Sequence, residues 1–387
     1  MMWLMFFTTF YVGAFPMNWI VSAISAAAEY CKQSIPNDAL GNFFSDGVIE
    51  GVGSVLAFLP NIIIMFFFIS FFQLSGLSQT FALLMDKLMH GIGLHGTSFI
   101  PLLMGFGCNV PAILGTRIIP RKTDRLVTML MIPFMSCSAR LPVYILLIGT
   151  FFPESPLLIL MLLYVSGILL AILTALLINK FIFKPEKDHS ERYPCRLHKP
   201  EIKPILQMVW EAASEYLKKI GTVVLLAVVA VWFLNYYPRS DDSANNEHQS
   251  YLEQIGKTIS PVFKPMGFDW KMSVSLLSGL PAKEFIVGTM AVLYTTETDD
   301  TSNHDLIGER LKNEVYLSGT QAGKPVFSKA VALAFLFFSL LYMPCIGAIV
   351  SIYKESQSIK WAVFTIFYTI SLAWIVSFVV YRIALLL

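Results

Sequence analysis

Residues 96–117 read GTSFIPLLMGFGCNVPAILGTR. Until Arg117 at its end the stretch carries no charge, as a membrane segment should, yet its centre holds Gly105, Gly107, Cys108, Asn109 and Pro111. A lipid-facing helix has no use for such residues. Unpaired backbone groups in hydrocarbon cost several kcal/mol, so irregular backbone survives there only where it is buried in protein or lines a cavity. The stretch therefore predicts a re-entrant hairpin that turns at Cys108. A second apolar segment, 270–294, carries Gly279-Leu280-Pro281 near its middle and predicts a second hairpin. Two long apolar segments are interrupted in the same manner, by Ser136-Cys137-Ser138-Ala139-Arg140-Leu141-Pro142 and by Tyr342-Met343-Pro344-Cys345-Ile346-Gly347. Transporters build ion sites from such broken helices near the bilayer midplane.

The composition agrees with a membrane protein. Of 387 residues, 56% are hydrophobic and 14% charged, against about 25% charged in soluble domains. The chain is therefore read as an all-α polytopic membrane protein, with the lipid bilayer as its first partner. Five cysteines, at 31, 108, 137, 195 and 345, are odd in number and unclustered, which argues against a disulfide framework. There is no phosphate-binding G-x-x-x-x-G-K-[ST] loop, no triad and no zinc-hydrolase motif, so no enzyme is expected. Basic residues are dispersed, which excludes a nucleic-acid surface. The apolar start, Met1 to Phe10, lacks the basic region of a signal peptide. It reads as a transmembrane helix joined part-way along, as in an excised domain.

A crossing takes about 20 apolar residues. The candidates are 2–20, 50–73, 125–151, 156–182, 217–237, 329–353 and 360–386. Taking both broken segments as hairpins places the basic 117–125 loop (Arg117, Arg121, Lys122, Arg125) and the basic 184–216 linker in the cytoplasm. The acidic 238–255 and 295–328 segments and the C-terminus then lie outside. That charge bias is what the positive-inside rule requires. The order of elements then repeats: long helix, amphipathic piece (78–92 or 250–264), hairpin, broken helix. The long helices 50–73 and 217–237 run in opposite senses, so the repeats are inverted. The expected organisation is a first helix and extracytoplasmic segment (1–49), a first gate repeat (50–152), and a connecting helix with cytoplasmic linker (153–216). A second gate repeat (217–358) and a last helix (359–387) complete it.

Cys108 with Asn109, Cys137 with Ser136, and Cys345 offer thiolate, amide and hydroxyl ligands beside freed carbonyls. Soft sulfur biases a site away from Mg²⁺ and Ca²⁺ towards iron, zinc or copper. The competing reading of each Cys is a small apolar residue at a tight crossing. Glu284, an intramembrane acid at the tip of the second hairpin, is read as an oxygen ligand or proton relay. Its alternative is a structural pair with Lys283 or Arg140. Arg140 itself is expected to bond the carbonyls freed by its own break. His90 and His95 are read as interfacial, and Met85, Met89 and Met104 as core. An apolar stripe at Ile202, Ile205, Leu206, Val209, Trp210, Ala213, Tyr216 and Leu217 predicts an amphipathic helix on the cytoplasmic membrane face.

The strings GLHGTSFIPLLMGFGCNVPAILGTR (93–117), SCSARLPVY (136–144), LKKIGTVVLLAVVAVWFLNYYP (217–238), SGLPAKEFIVGTMAVLY (278–294) and YMPCIGAI (342–349) resemble the membrane domain of the bacterial ferrous iron transport protein B family. The likeness runs from about Phe6 to the end of the chain. It implies a gate arrangement similar to that of concentrative nucleoside transporters, and Fe²⁺ as transported substrate across the bacterial inner membrane. Cys108, Cys137 and Cys345 match the gate cysteines, and Glu284 the acid of the family's A-K-E segment. The expected metal-contacting set is Cys108, Cys137, Cys345, Asn109, Ser136 and Glu284. The resemblance also implies partners: a cytoplasmic GTPase domain, in cis or on a separate chain and the only route for GTP, small Feo accessory proteins, and a possible homo-oligomer. One stretch departs from the family. Gln73-Leu74-Ser75-Gly76-Leu77-Ser78-Gln79 stands where members carry a Glu-Asp pair and a following Arg. The alternatives are transport of Zn²⁺ or Mn²⁺, cation-coupled transport of an organic solute such as a nucleoside, and a membrane sensor or scaffold.

Overall fold

The structure is a computed structural model that describes residues 12–34, 59–183, 201–215, 229–234, 250–294, 304–315 and 325–386, with isolated positions at 8, 49, 53, 56, 217 and 226. Cys195, most of the 184–216 linker and most of helix 217–237 lie outside the described residues, as do the side chains of Gln73 and Gln79. Among the described residues four helical stretches are long and apolar enough to cross a membrane: Lys122–Phe151, Pro156–Phe181, Lys329–Ser356 and Ile359–Ala384. The chain is a multi-pass all-α membrane protein. It falls into two compact units, one of residues 1–132, 172–233 and 350–357, the other of 133–171, 234–349 and 358–387.

In the first unit, the helix at the N-terminal end runs Ala14–Ser34, further than the apolar window 2–20. The reason is local: residues 21–34 contain four Ala and no Gly or Pro, so nothing stops the helix. Helix Leu59–Leu74 follows, and Gly76, in the left-handed region at φ 72°, turns the chain into the amphipathic helix Leu77–His90. The first hairpin has arms Phe99–Gly105 and Asn109–Gly115, which pack on each other across a short turn. Seven residues span about 10 Å of helix, far short of a bilayer core of about 30 Å. Pro101 and Pro111 each sit in the first turn of an arm, where the backbone N–H has no helical partner to lose. Three residues, Phe106 to Cys108, separate the arms, and Cys108, the last of them, is extended (φ −151°, ψ 133°).

The foot of this hairpin is held by distant carboxylates. Asp86 Oδ1 accepts from Gly96 N at 2.9 Å and Asp124 Oδ2 from His95 N at 3.1 Å. A Cβ at Gly96 would run into the Ala82 carbonyl oxygen, so only glycine lets the hairpin seat on helix Leu77–His90. Asn179 Nδ2 donates to the Ile92 carbonyl at 3.0 Å. Helix Ile202–Glu215 divides its predicted stripe in two. Ile205, Val209 and Ala213 are buried, and the helix packs on Leu59–Leu74, while Ile202, Leu206 and Trp210 remain exposed.

In the second unit, helix Lys329–Leu341 is buried along most of its length against Ile359–Ala384. The latter buries Ala362, Thr365, Thr369, Ala373 and Ser377, small residues three or four apart that let the backbones approach. Its outer face carries Phe367 and Ile375, as lipid contact requires. Gly167 is a second close approach, where a Cβ would stand 2.6 Å from the Phe134 carbonyl oxygen. The second hairpin has arms Trp270–Ser278 and Phe285–Tyr294. Asp269 caps the first arm, accepting from Met272 N at 2.8 Å, and accepts from the Tyr294 hydroxyl at 2.8 Å. One carboxylate thus joins both feet of the hairpin.

Candidate functional site

At the tip of the first hairpin Cys108 is half-buried and its neighbour Asn109 is 3% exposed. Asn109 Oδ1 is fully buried with no hydrogen-bond partner. An orphaned acceptor in a membrane protein's interior costs about 1–3 kcal/mol, a cost that a bound cation would remove. Cys108 keeps its backbone in register by accepting from Ala112 N at 3.3 Å and donating to the Met104 carbonyl at 3.1 Å.

The first break lies between the 3-10 turns Ile132–Phe134 and Ser138–Arg140. Arg140 is 1% exposed, and its Nη1 and Nη2 donate to the carbonyls of Met135 and Pro133, both at 3.1 Å. The expectation for Arg140 is met: a guanidinium fork bridges two carbonyls that the break deprives of helical partners. Buried Ser136 donates to the Tyr144 hydroxyl oxygen at 3.2 Å, and Cys137 is buried beside it.

The second break spans Tyr342 to Cys345, between helices Lys329–Leu341 and Ile346–Ser356. Its cation comes from elsewhere in the sequence. Lys283, 2% exposed at the tip of the second hairpin, donates to the Met343 carbonyl at 2.6 Å and lies 3.0 Å from the centre of the Tyr342 ring. Ile346 N donates to the Leu280 carbonyl at 3.1 Å, a second tie between hairpin and break. Cys345 accepts from Ala348 N at 2.9 Å through its carbonyl, and its half-buried thiol is in no disulfide. Cys137, Lys283 and Arg140 lie in the neighbourhood of Cys345. The thiols of the two breaks thus share one neighbourhood within this unit.

Glu284 pairs with neither Lys283 nor Arg140, which corrects that alternative: no hydrogen bond or ion pair involves its half-buried carboxylate among the described residues. The lysine has taken a carbonyl and a ring instead, so the acid beside it is left unmatched. Cys108 and Asn109 belong to the first unit, and Ser136, Cys137, Glu284 and Cys345 to the second. Among the described residues no three His, Cys, Asp or Glu side chains gather as a ready metal cage. His90 bonds the Asp86 carbonyl at 3.0 Å, and His95 caps the turn at Gly96 by accepting from Thr97 N at 3.3 Å.

Two functional features escaped the sequence. The seat of Lys283 was missed, although a lysine deep in an apolar segment must find a partner. The other is the ion-pair node at Glu355, which receives Arg117 Nε at 2.9 Å and also binds Arg125.

The family described as Gate, nucleoside recognition, matches residues 55–151 and 217–360, more than half of the chain. This chain belongs to the Gate family. Three curated relatives extend the likeness beyond the Gate segments. A protein of Porphyromonas gingivalis named as an Fe(2+) transport protein A/Fe(2+) transporter FeoB fusion is 44% identical over all of this chain and 49% of its own length. The Fe(2+) transporter FeoB of Campylobacter jejuni is 40% identical over all of this chain and 62% of its own length. That of Methanocaldococcus jannaschii is 36% identical over 98% of this chain and 55% of its own. This Gate chain thus spans roughly half to three-fifths of the curated relatives it matches. No solved structure matches it.

Proposed function

We propose that this chain is the ion-conducting part of a ferrous iron transporter of a bacterial inner membrane. The observation that carries the reading is the pair of thiol-bearing breaks. In each break a buried cation, Arg140 or Lys283, satisfies freed carbonyls beside a cysteine that is in no disulfide, Cys137 or Cys345. Similarity along the whole chain to proteins named as Fe(2+) transporters supports the choice of ion. In its passage Fe²⁺ meets Cys108 and Asn109 at the first hairpin, and Ser136, Cys137, Cys345 and Glu284 at the two breaks and the second hairpin. Thiolates attract a borderline cation, and the unmatched acid and amide oxygens supply the harder ligands.

The relatives' additional length is consistent with a cytoplasmic GTPase domain as partner. We place its action, and that of small Feo accessory proteins, on the basic 117–125 loop and the 184–216 linker. A second reading, transport of an organic solute, is favoured by the family's description as a nucleoside-recognition domain.

The test is Fe²⁺ uptake into vesicles from cells that express the intact protein, with Cys108, Cys137 and Cys345 each changed to Ser. The reading expects reduced flux in at least one variant. Unchanged flux in all three removes the thiols from the path. Saturable nucleoside binding without competition by Fe²⁺ moves the assignment to the second reading.

A further inference from the structure

Lys283 is the most buried ammonium of the described chain, and the neighbouring acid does not neutralise it. An unpaired charge in such surroundings is costly, and it persists only where something receives it. Here the receiver has two parts, the Met343 carbonyl oxygen at 2.6 Å and the face of the Tyr342 ring at 3.0 Å. A freed carbonyl and an aromatic face are the elements from which proteins make cation seats. The break creates this one: Tyr342 leaves the helical path with ψ 168°, which turns the Met343 carbonyl out of the ladder. Tyr342 is fixed in turn by stacking on Phe338, ring centres 5.5 Å apart, and by its hydroxyl on the Leu276 carbonyl at 3.4 Å. The seat is rigid, and its occupant is on a flexible tether.

Cys345 stands two residues beyond that carbonyl, and Arg140 and Cys137 lie in the same neighbourhood. We infer that Lys283 is a tethered stand-in for the transported ion: its ammonium fills the Met343–Tyr342 seat until a divalent cation binds beside Cys345 and displaces it. The inference rests on the reading that metal reaches Cys345. Two positive centres so close repel one another strongly in an interior of low dielectric constant. Occupancy by one therefore excludes the other, and Lys283 sets the metal concentration at which the site fills. Its departure also removes one tie between hairpin and break, leaving the Leu280–Ile346 backbone bond and the Tyr342 hydroxyl on the Leu276 carbonyl. The same exchange would thus signal occupancy to the hairpin.

The test is protection of Cys345 from alkylation by Fe²⁺ under anoxic conditions, read by mass spectrometry of the Cys345 peptide in the intact purified protein. Lys283→Met, which keeps the side chain's bulk and removes its charge, should lower the protecting Fe²⁺ concentration by at least about tenfold. Lys283→Arg should leave it near that of the unchanged protein. Tyr342→Leu removes half of the seat and should shift protection in the same direction as Lys283→Met, which keeps the test open if Lys283→Met does not fold. An unchanged or higher midpoint in Lys283→Met, or in Tyr342→Leu where only that variant folds, overturns the inference while the metal path stands. So does an equal shift in Lys283→Arg and Lys283→Met. Absence of protection in the unchanged protein at any Fe²⁺ concentration overturns the metal path at Cys345 and this inference with it.

Discussion

Replacing Arg140 by Met tests how the first break is held open. The side chain is 1% exposed, and its two Nη donors lie 3.1 Å from the carbonyls of Pro133 and Met135. Methionine leaves both carbonyls buried and unpaired, at about 1–3 kcal/mol each. One gain offsets this. Arg140 Nε is itself buried without a partner, and its removal returns about 1 kcal/mol. The net expectation is a loss of about 1–5 kcal/mol. Arg140→Lys keeps the charge and one of the two bonds and should fall between. The assay is denaturation of the purified protein in mixed micelles, followed by tryptophan fluorescence, with Cys137 alkylation as a local probe. Arg140→Met should unfold earlier, and Cys137 should react faster well before global unfolding. Equal stability in Arg140→Met, Arg140→Lys and the unchanged protein would refute the claim that this guanidinium closes the carbonyl account of the break.

Asn109→Ala should raise stability by up to about 1–3 kcal/mol on account of Oδ1, since it removes a buried acceptor that has no partner. Fe²⁺ uptake should nonetheless fall several-fold, and a stability loss with unchanged uptake would make Asn109 a structural residue only. Gly96→Ala forces a methyl group into the Ala82 carbonyl, so it should cost more than the few tenths to 1 kcal/mol of an ordinary helix-entry substitution and lower the yield of folded protein. A melting point equal to that of the unchanged protein would show that helix Leu77–His90 moves aside freely. Glu355→Gln removes the counter-charge of Arg117 and Arg125. Since Glu355 is 5% exposed but Arg117 is half in solvent, the loss should be about 1–3 kcal/mol. Stability of that variant should depend less on salt, and a salt response equal to that of the unchanged protein would argue against the node.

Much of this architecture is visible in the sequence because bilayers leave few options. Gly107-Cys108-Asn109 and Gly279-Leu280-Pro281 cannot continue a helix, and the structure turns at both places. Arg140 was readable because the carbonyls it bonds lie within seven residues of it. Lys283 was not, since its carbonyl is 60 residues away and no periodicity links them. Glu355 and Arg117 are separated by 238 residues and are equally silent. Helix Ile202–Glu215 shows another limit. Its stripe was legible as one face, but which line packs on Leu59–Leu74 and which is left open depends on the crossing geometry, with Trp210 76% exposed. The mutual neighbourhood of Cys137 and Cys345 follows from packing within the second unit, which sequence order alone does not fix.

The Asp269–Tyr294 bond has a mechanical meaning. It pins the outer ends of the two arms of the second hairpin to one atom, Asp269 Oδ1. Arms pinned there cannot shear past each other, so the hairpin has the stiffness of a lever and lacks the give of a spring. A push on Leu280 or Lys283 is converted into tilt and delivered at Asp269, beside Lys271 and its partner Glu314, which bond at 2.7 Å.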